Sequence, residues 1–121
     1  MDKGQAIQAF WSSFGLPAYE QTDVPDDAEM PYITYDVSTA AIDEPISLTA
    51  SLWYRSTRWA EISQKSEEIA RLITTKAKPD ALDGGYLWVV KGSPFAQRMS
   101  DTDETVRRIV LNIQAEFITA Y

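Results

Sequence analysis

The sequence predicts an α+β domain in the order α-β-β-α-β-β, a four-stranded, mainly antiparallel sheet with two helices packed on one face. Three observations carry this reading. Apolar residues recur at helical spacing in residues 3–14 and again over about 58–77. Apolar and polar residues alternate at 46–54 and at 109–117, the period of a half-buried strand. Turn-forming clusters such as DALDGG separate these runs. With 121 residues, the chain is read as a single domain, 1–121. That length buries roughly two thirds of the surface the unfolded chain exposes.

In the first helix, Ala6, Ile7, Phe10, Trp11 and Phe14 form one stripe, with Asp2 as candidate N-cap and Gly15 and Pro17 as the stop. An acidic loop, Glu20 to Glu29, follows. PYITYDV gives a strand at Tyr32–Val37, and STAAIDEP reads as a connection. In ISLTASLWY, Ile46, Leu48, Ala50, Leu52 and Tyr54 share one face, and Ser47, Thr49, Ser51 and Trp53 the other. Ser56 or Thr57 is the candidate cap of the second helix, whose stripe is Trp59, Ile62, Ser66, Ile69 and Ile73. Tyr86–Lys91 reads as a strand, and Gly92–Thr105 as a long loop of the kind that carries function or moves. In RRIVLNIQAEFIT a helical stripe competes with alternation. The β-branched content and the unbroken odd positions from Ile109 to Phe117 favour a strand.

Composition excludes several chemistries. Cys and His are both absent, which removes disulfides, thiolate nucleophiles, zinc sites and His-based triads. A net charge of −7 opposes tight binding to nucleic-acid phosphates, which draws on many Lys and Arg contacts. No apolar run approaches the ~20 residues that span a bilayer, and the first residues lack the pattern of a secretory signal, so a soluble intracellular product is expected. The acid clusters Asp23, Asp26, Asp27, Glu29 and Asp101, Asp103, Glu104 lack the register of a calcium loop and read as solvated loop acids. Catalysis would have to rest on carboxylates, Tyr54 or Lys91, with no acid pair at an interpretable spacing. No catalytic residue, metal site or cofactor is assigned, and an enzyme is not expected.

SLWYRSTRWAEI, Ser51–Ile62, concentrates aromatics and arginines, as a base-stacking platform would. The strand register disperses them instead. Tyr54 goes to the core, Trp53 to the opposite face, and Trp59 to the helix stripe. Trp53 and, in YLWVVK, Trp88 then leave an apolar second sheet face of the kind that buries itself against another protein. The candidate subunit or partner interface is Trp53, Trp88, Phe95, Arg98 and Met99.

PYITYDV, SLWYRSTRWAEISQKSEEIARLI and LWVVKGSPFAQRMSDTDETVRRIVLNIQAEF together resemble the tail terminator (tail completion) family of long-tailed phages and prophages. The resemblance covers almost the whole chain in size, order and flavour, without a diagnostic motif. It implies a structural virion-assembly protein without catalytic residues. Such a protein forms a ring, commonly hexameric, that caps the tail tube at the head-tail joint. The implied partners are further copies of the chain, the tail tube protein and head-completion or connector proteins. DNA passes through the lumen without specific binding, and no membrane is involved. The implied location is the virion neck, after assembly in the host cytoplasm. Other head-tail connector or minor structural roles, and a small non-catalytic protein-binding module, are the alternatives.

Overall fold

The computed structural model describes residues 1–38, 44–76 and 78–120. Most of the STAAIDEP connection and Ala77, at the expected end of the second helix, lie outside the described residues. The element order is α1 (Lys3–Ser12), β1 (Ala18–Glu20), β2 (Tyr32–Tyr35), β3 (Ile46–Arg55), α2 (Ala60–Thr74), β4 (Asp80–Leu82), β5 (Gly85–Met99) and β6 (Val106–Thr119). The strands form one six-stranded sheet in the order β1-β2-β3-β6-β5-β4, curled into a half-barrel. The β1–β2 pair is parallel and the other pairs are antiparallel, so the sheet is mixed.

This corrects the expected four-stranded sheet with two helices on one face. β1 and β4 are three residues each, too short to show a period, and they sit inside segments that read as loop and turn. They form the two edges. The principal neighbours of α1 are these same edge strands, whereas α2 lies over β3, β5 and β6. α1 therefore spans the mouth of the curled sheet.

Polar contacts fix α1 at its start and at its middle. Asp2 and Gln5 form a reciprocal capping box. The terminal ammonium donates to Asp83 at 2.6 Å, and Asp83 N–H returns a bond to Met1 O at 2.7 Å. Midway along the helix, Gln8 Nε2 donates to Ala18 O at 3.0 Å, and Tyr35 OH donates to Gln8 Oε1. Gly15, at φ 86°, turns the chain out of the helix and into β1.

The core is one cluster. β3 contributes Leu48, Ala50, Leu52 and Tyr54, and β6 contributes Ile109, Leu111, Ile113, Ala115 and Phe117. Ile7, Phe10 and Trp11 of α1 and Ile62, Ile69 and Ile73 of α2 close over them. Each fully buried side chain of this size contributes about 1.5–3 kcal/mol. Ser66 occupies the same stripe and is tolerated because its hydroxyl donates to Ser63 O at 2.9 Å. The expected Ser56/Thr57 cap is not formed. Trp59 is the N-cap residue and makes no side-chain cap bond, while Ser56 Oγ accepts from Arg58 N–H in a local turn.

The largest local departure is in the expected long loop, since β5 runs on to Met99. The strand carries a bulge: Lys91 pairs with Ile113 and Ala96 with Leu111, so residues 92–95 all stand opposite Asn112. Asn112 Nδ2 donates to Pro94 O at 3.0 Å and holds the bulge. A Cβ at Gly92 would come within 2.9 Å of Asn112 O, so the close approach there calls for glycine. The bulge also reverses the alternation. Leu87 and Val89 face the core before it, whereas after it Ala96 and Arg98 stand opposite core residues Leu111 and Ile109.

Candidate assembly surface

The outer face of the sheet, away from the helices, carries an aromatic and cationic row. Tyr32, Trp53, Arg108 and Met99 are successive register partners across β2, β3, β6 and β5. The Arg108 guanidinium lies 4.8 Å from the Trp53 ring centroid, a cation–π distance, and its Nε donates to Ser51 Oγ at 3.1 Å. Trp53 Nε1 donates to Thr34 Oγ1 at 2.9 Å. The Tyr19 ring meets Tyr32 edge-on at 5.8 Å and extends the row to the sheet edge. Thr34 and Ser51 are buried beneath this layer.

A second apolar end lies further along the same face. Tyr86 pairs with Ile118, Trp88 with Glu116 and Val90 with Gln114. Tyr86, Val90 and Ile118 are each about half exposed, at 51%, 44% and 50%. The run of β6 from Arg108 to Glu116 puts roughly 27 Å between the two ends. The ground between them is mainly polar, with Ser47, Thr49, Asn112 and Gln114 beside one half-buried apolar residue, Val110.

The five sequence-derived candidates do not form one patch. Trp53 and Met99 share the outer row, and Trp88 belongs to the distant apolar end. Phe95, in the bulge, is half-buried and packs against the core. Arg98 lies on the helix side, its guanidinium 4.7 Å from the Trp59 centroid. Arg107 approaches the same ring at 5.4 Å, so one indole receives two cations. Arg98 also donates to Ser63 Oγ at 3.2 Å, and Arg107 to Thr57 O at 2.7 Å. Sequence reading missed the outer-row roles of Arg108 and Tyr32. Their signal is the register itself: both stand in line with Trp53 once the strands are paired.

The loop beyond β5 is organised by its own acids. Asp101 accepts from Asp103 N–H at 2.9 Å. Asp103 accepts from the Thr105 hydroxyl at 2.7 Å and N–H at 2.8 Å, which with the Arg55 charge holds its carboxyl below the usual range. Arg55 closes the loop onto β3 through Thr105 Oγ1 at 2.8 Å and Asp103 at 3.5 Å. Among the described residues no cluster of three or more acids is placed to hold a metal ion. On the core side, burial raises the pKa of the Tyr54 phenol, with Glu61 and Glu68 adding to it.

No protein-family model matches the chain, and no curated protein matches it. A match among solved structures is a chain of the "Virion of native gene transfer agent (GTA) particle", at a TM-score of 0.60 and 15% identity. It covers 94% of this chain and 90% of that one, so nearly the whole architecture is shared.

Proposed function

We propose that this chain is a structural component of a phage-like particle and acts as the tail terminator, or tail completion protein, at the head-tail joint. The observation that carries the reading is the fold shared along nearly its whole length with a chain of a gene transfer agent virion. Fold alone does not assign a role. The sequence resemblance to tail terminators points the same way. In this role the chain forms a ring, with six copies as the family would have it, and caps the tail tube. It also meets the head-completion proteins, and DNA crosses the lumen. The work is done by surfaces, with no catalytic residue. Two separated apolar ends on the outer face fit such a role, because a ring joins unlike patches of successive copies.

The test is genetic and hydrodynamic. Deleting the gene from its phage or prophage should give tails of uncontrolled length by electron microscopy. The purified protein, alone or with tube subunits, should form a closed oligomer by light scattering. Tails of normal length that fail to join heads would move the protein to a neighbouring connector role. Normal, joined particles would refute both.

A further inference from the structure

We infer that a groove along the free edge of β5 is the seat for the acidic loop, residues 21–31, of a second copy of this chain. The inference rests on the ring reading above and names its subunit contact. The groove, of about 340 Å³, lies between the end of α2, at Ile73, Thr74 and Lys76, and the edge of β5 from Trp88 through Val89 and Val90 to Lys91. β4 pairs only with residues 85–87, so beyond Leu87 the outer side of β5 has no strand partner among the described residues. An unpaired strand edge is a template for an extended segment of another chain. The bulge at 92–95, with Pro94, ends the usable edge and limits it to about residues 88–91.

Charge selects the occupant. Lys76 is engaged by Asp80 at 2.8 Å, whereas Lys91, which also lines the groove, is exposed. Residues 21–31 carry Asp23, Asp26, Asp27 and Glu29 and no Lys or Arg. All four acids are exposed, and among the described residues none is in a salt bridge. Val24, Ala28 and Met30 give the same loop apolar side chains for the groove. Copies with a net charge of −7 repel one another unless local charges are offset, and this pairing sets Lys91 against the acids of the loop. The loop leaves β1, at the opposite margin of the sheet from β5. A contact joining opposite margins is heterologous and repeats head to tail.

The absence of cysteine makes cross-linking a clean test. Thr22→Cys in the loop and Val90→Cys in the groove should form a mixed disulfide on oxidation of the full-length variants. Its yield should exceed that of either variant with Thr49→Cys, in the polar middle of the outer face. Lys91→Glu should lower the mixed yield by about tenfold, as for closely apposed interfacial charges. Asp26→Lys with Asp27→Lys in the loop partner should restore it. No excess over the Thr49→Cys control, or a dominant Val90→Cys homodimer showing two-fold edge pairing, would overturn the groove contact. The double variant Thr22→Cys/Val90→Cys separates this from the ring reading. A ladder ending in one closed species supports both. An endless ladder keeps the contact and removes the ring.

Discussion

Replacing Trp59 by Ala probes the joint between α2 and the far ends of β5 and β6. The indole is half-buried and receives Arg98 at 4.7 Å and Arg107 at 5.4 Å. Truncating a fully buried Trp costs about 3–5 kcal/mol, so a half-buried one forfeits roughly half of that. Each cation–π contact at this exposure adds about 0.5–1 kcal/mol. The expected loss is about 3 kcal/mol, read as a lower urea midpoint by far-ultraviolet circular dichroism. Trp59→Phe, which keeps an aromatic face, should lose about 1–2 kcal/mol less. A double-mutant cycle with Arg98→Ala isolates one contact and should return a coupling of about 0.5–1 kcal/mol. A loss under about 1 kcal/mol with no coupling would mean that the indole only rests on the surface and that the two arginines are held by Ser63 and Thr57.

Gly85→Ala should abolish cooperative melting or cost several kcal/mol, because a Cβ there would fall 2.0 Å from Ile118 O, across the β5–β6 pairing; a near-neutral melt would refute that register. Asp2→Ala removes the N-cap of α1 and should cost about 1 kcal/mol in a urea titration, with Asp2→Asn retaining most of it. The Asp103 carboxyl should titrate below 3.8 by NMR. Its folded pKa lies below the unfolded value, so its contribution is present above the unfolded pKa and is lost as pH falls through the folded one. Thr105→Val should raise the Asp103 pKa toward the ordinary value. Tyr54 shows the opposite sign: its phenol should titrate above 10.0, and the stability linked to it fades as pH rises from the unfolded value through the folded one.

Much of the fold was legible because two periods are hard to confuse over ten or more residues. β3 alternates from Ile46 to Tyr54, and α2 repeats from Ile62 to Ile73, so each buried face could be read directly. β1 and β4 could not be read that way. Three residues hold one and a half alternations, and Gly and Pro beside them signal turns. Missing them turned a six-stranded half-barrel into a four-stranded sheet. The continuation of β5 was hidden by its bulge, where Gly92 and Pro94 look like a loop and the alternation changes phase. The same change of phase divides the candidate surface. It sends Arg98 inward to Trp59 and Met99 outward to the row of Trp53. Sequence alone placed Trp53 and Tyr54 on opposite faces. Only strand pairing could bring Tyr32 and Arg108 alongside Trp53.

The position of α1 also sets an order of events in folding. Its start is tied to Asp83, 82 residues from Met1 in sequence, through Asp83 N–H to Met1 O, and its middle is held by β1 and Tyr35. Neither anchor exists until the hairpin of β4 and β5 and the pair of β1 and β2 are both in place. A helix of ten residues is marginal alone in water, so it gains its stability only on docking. Substitutions in α1 should therefore leave the folding rate nearly unchanged and raise the unfolding rate, with φ-values near zero. In native-state hydrogen exchange its amides should open before those of β3 and β6, making the first helix in sequence the last element to assemble and the first to leave.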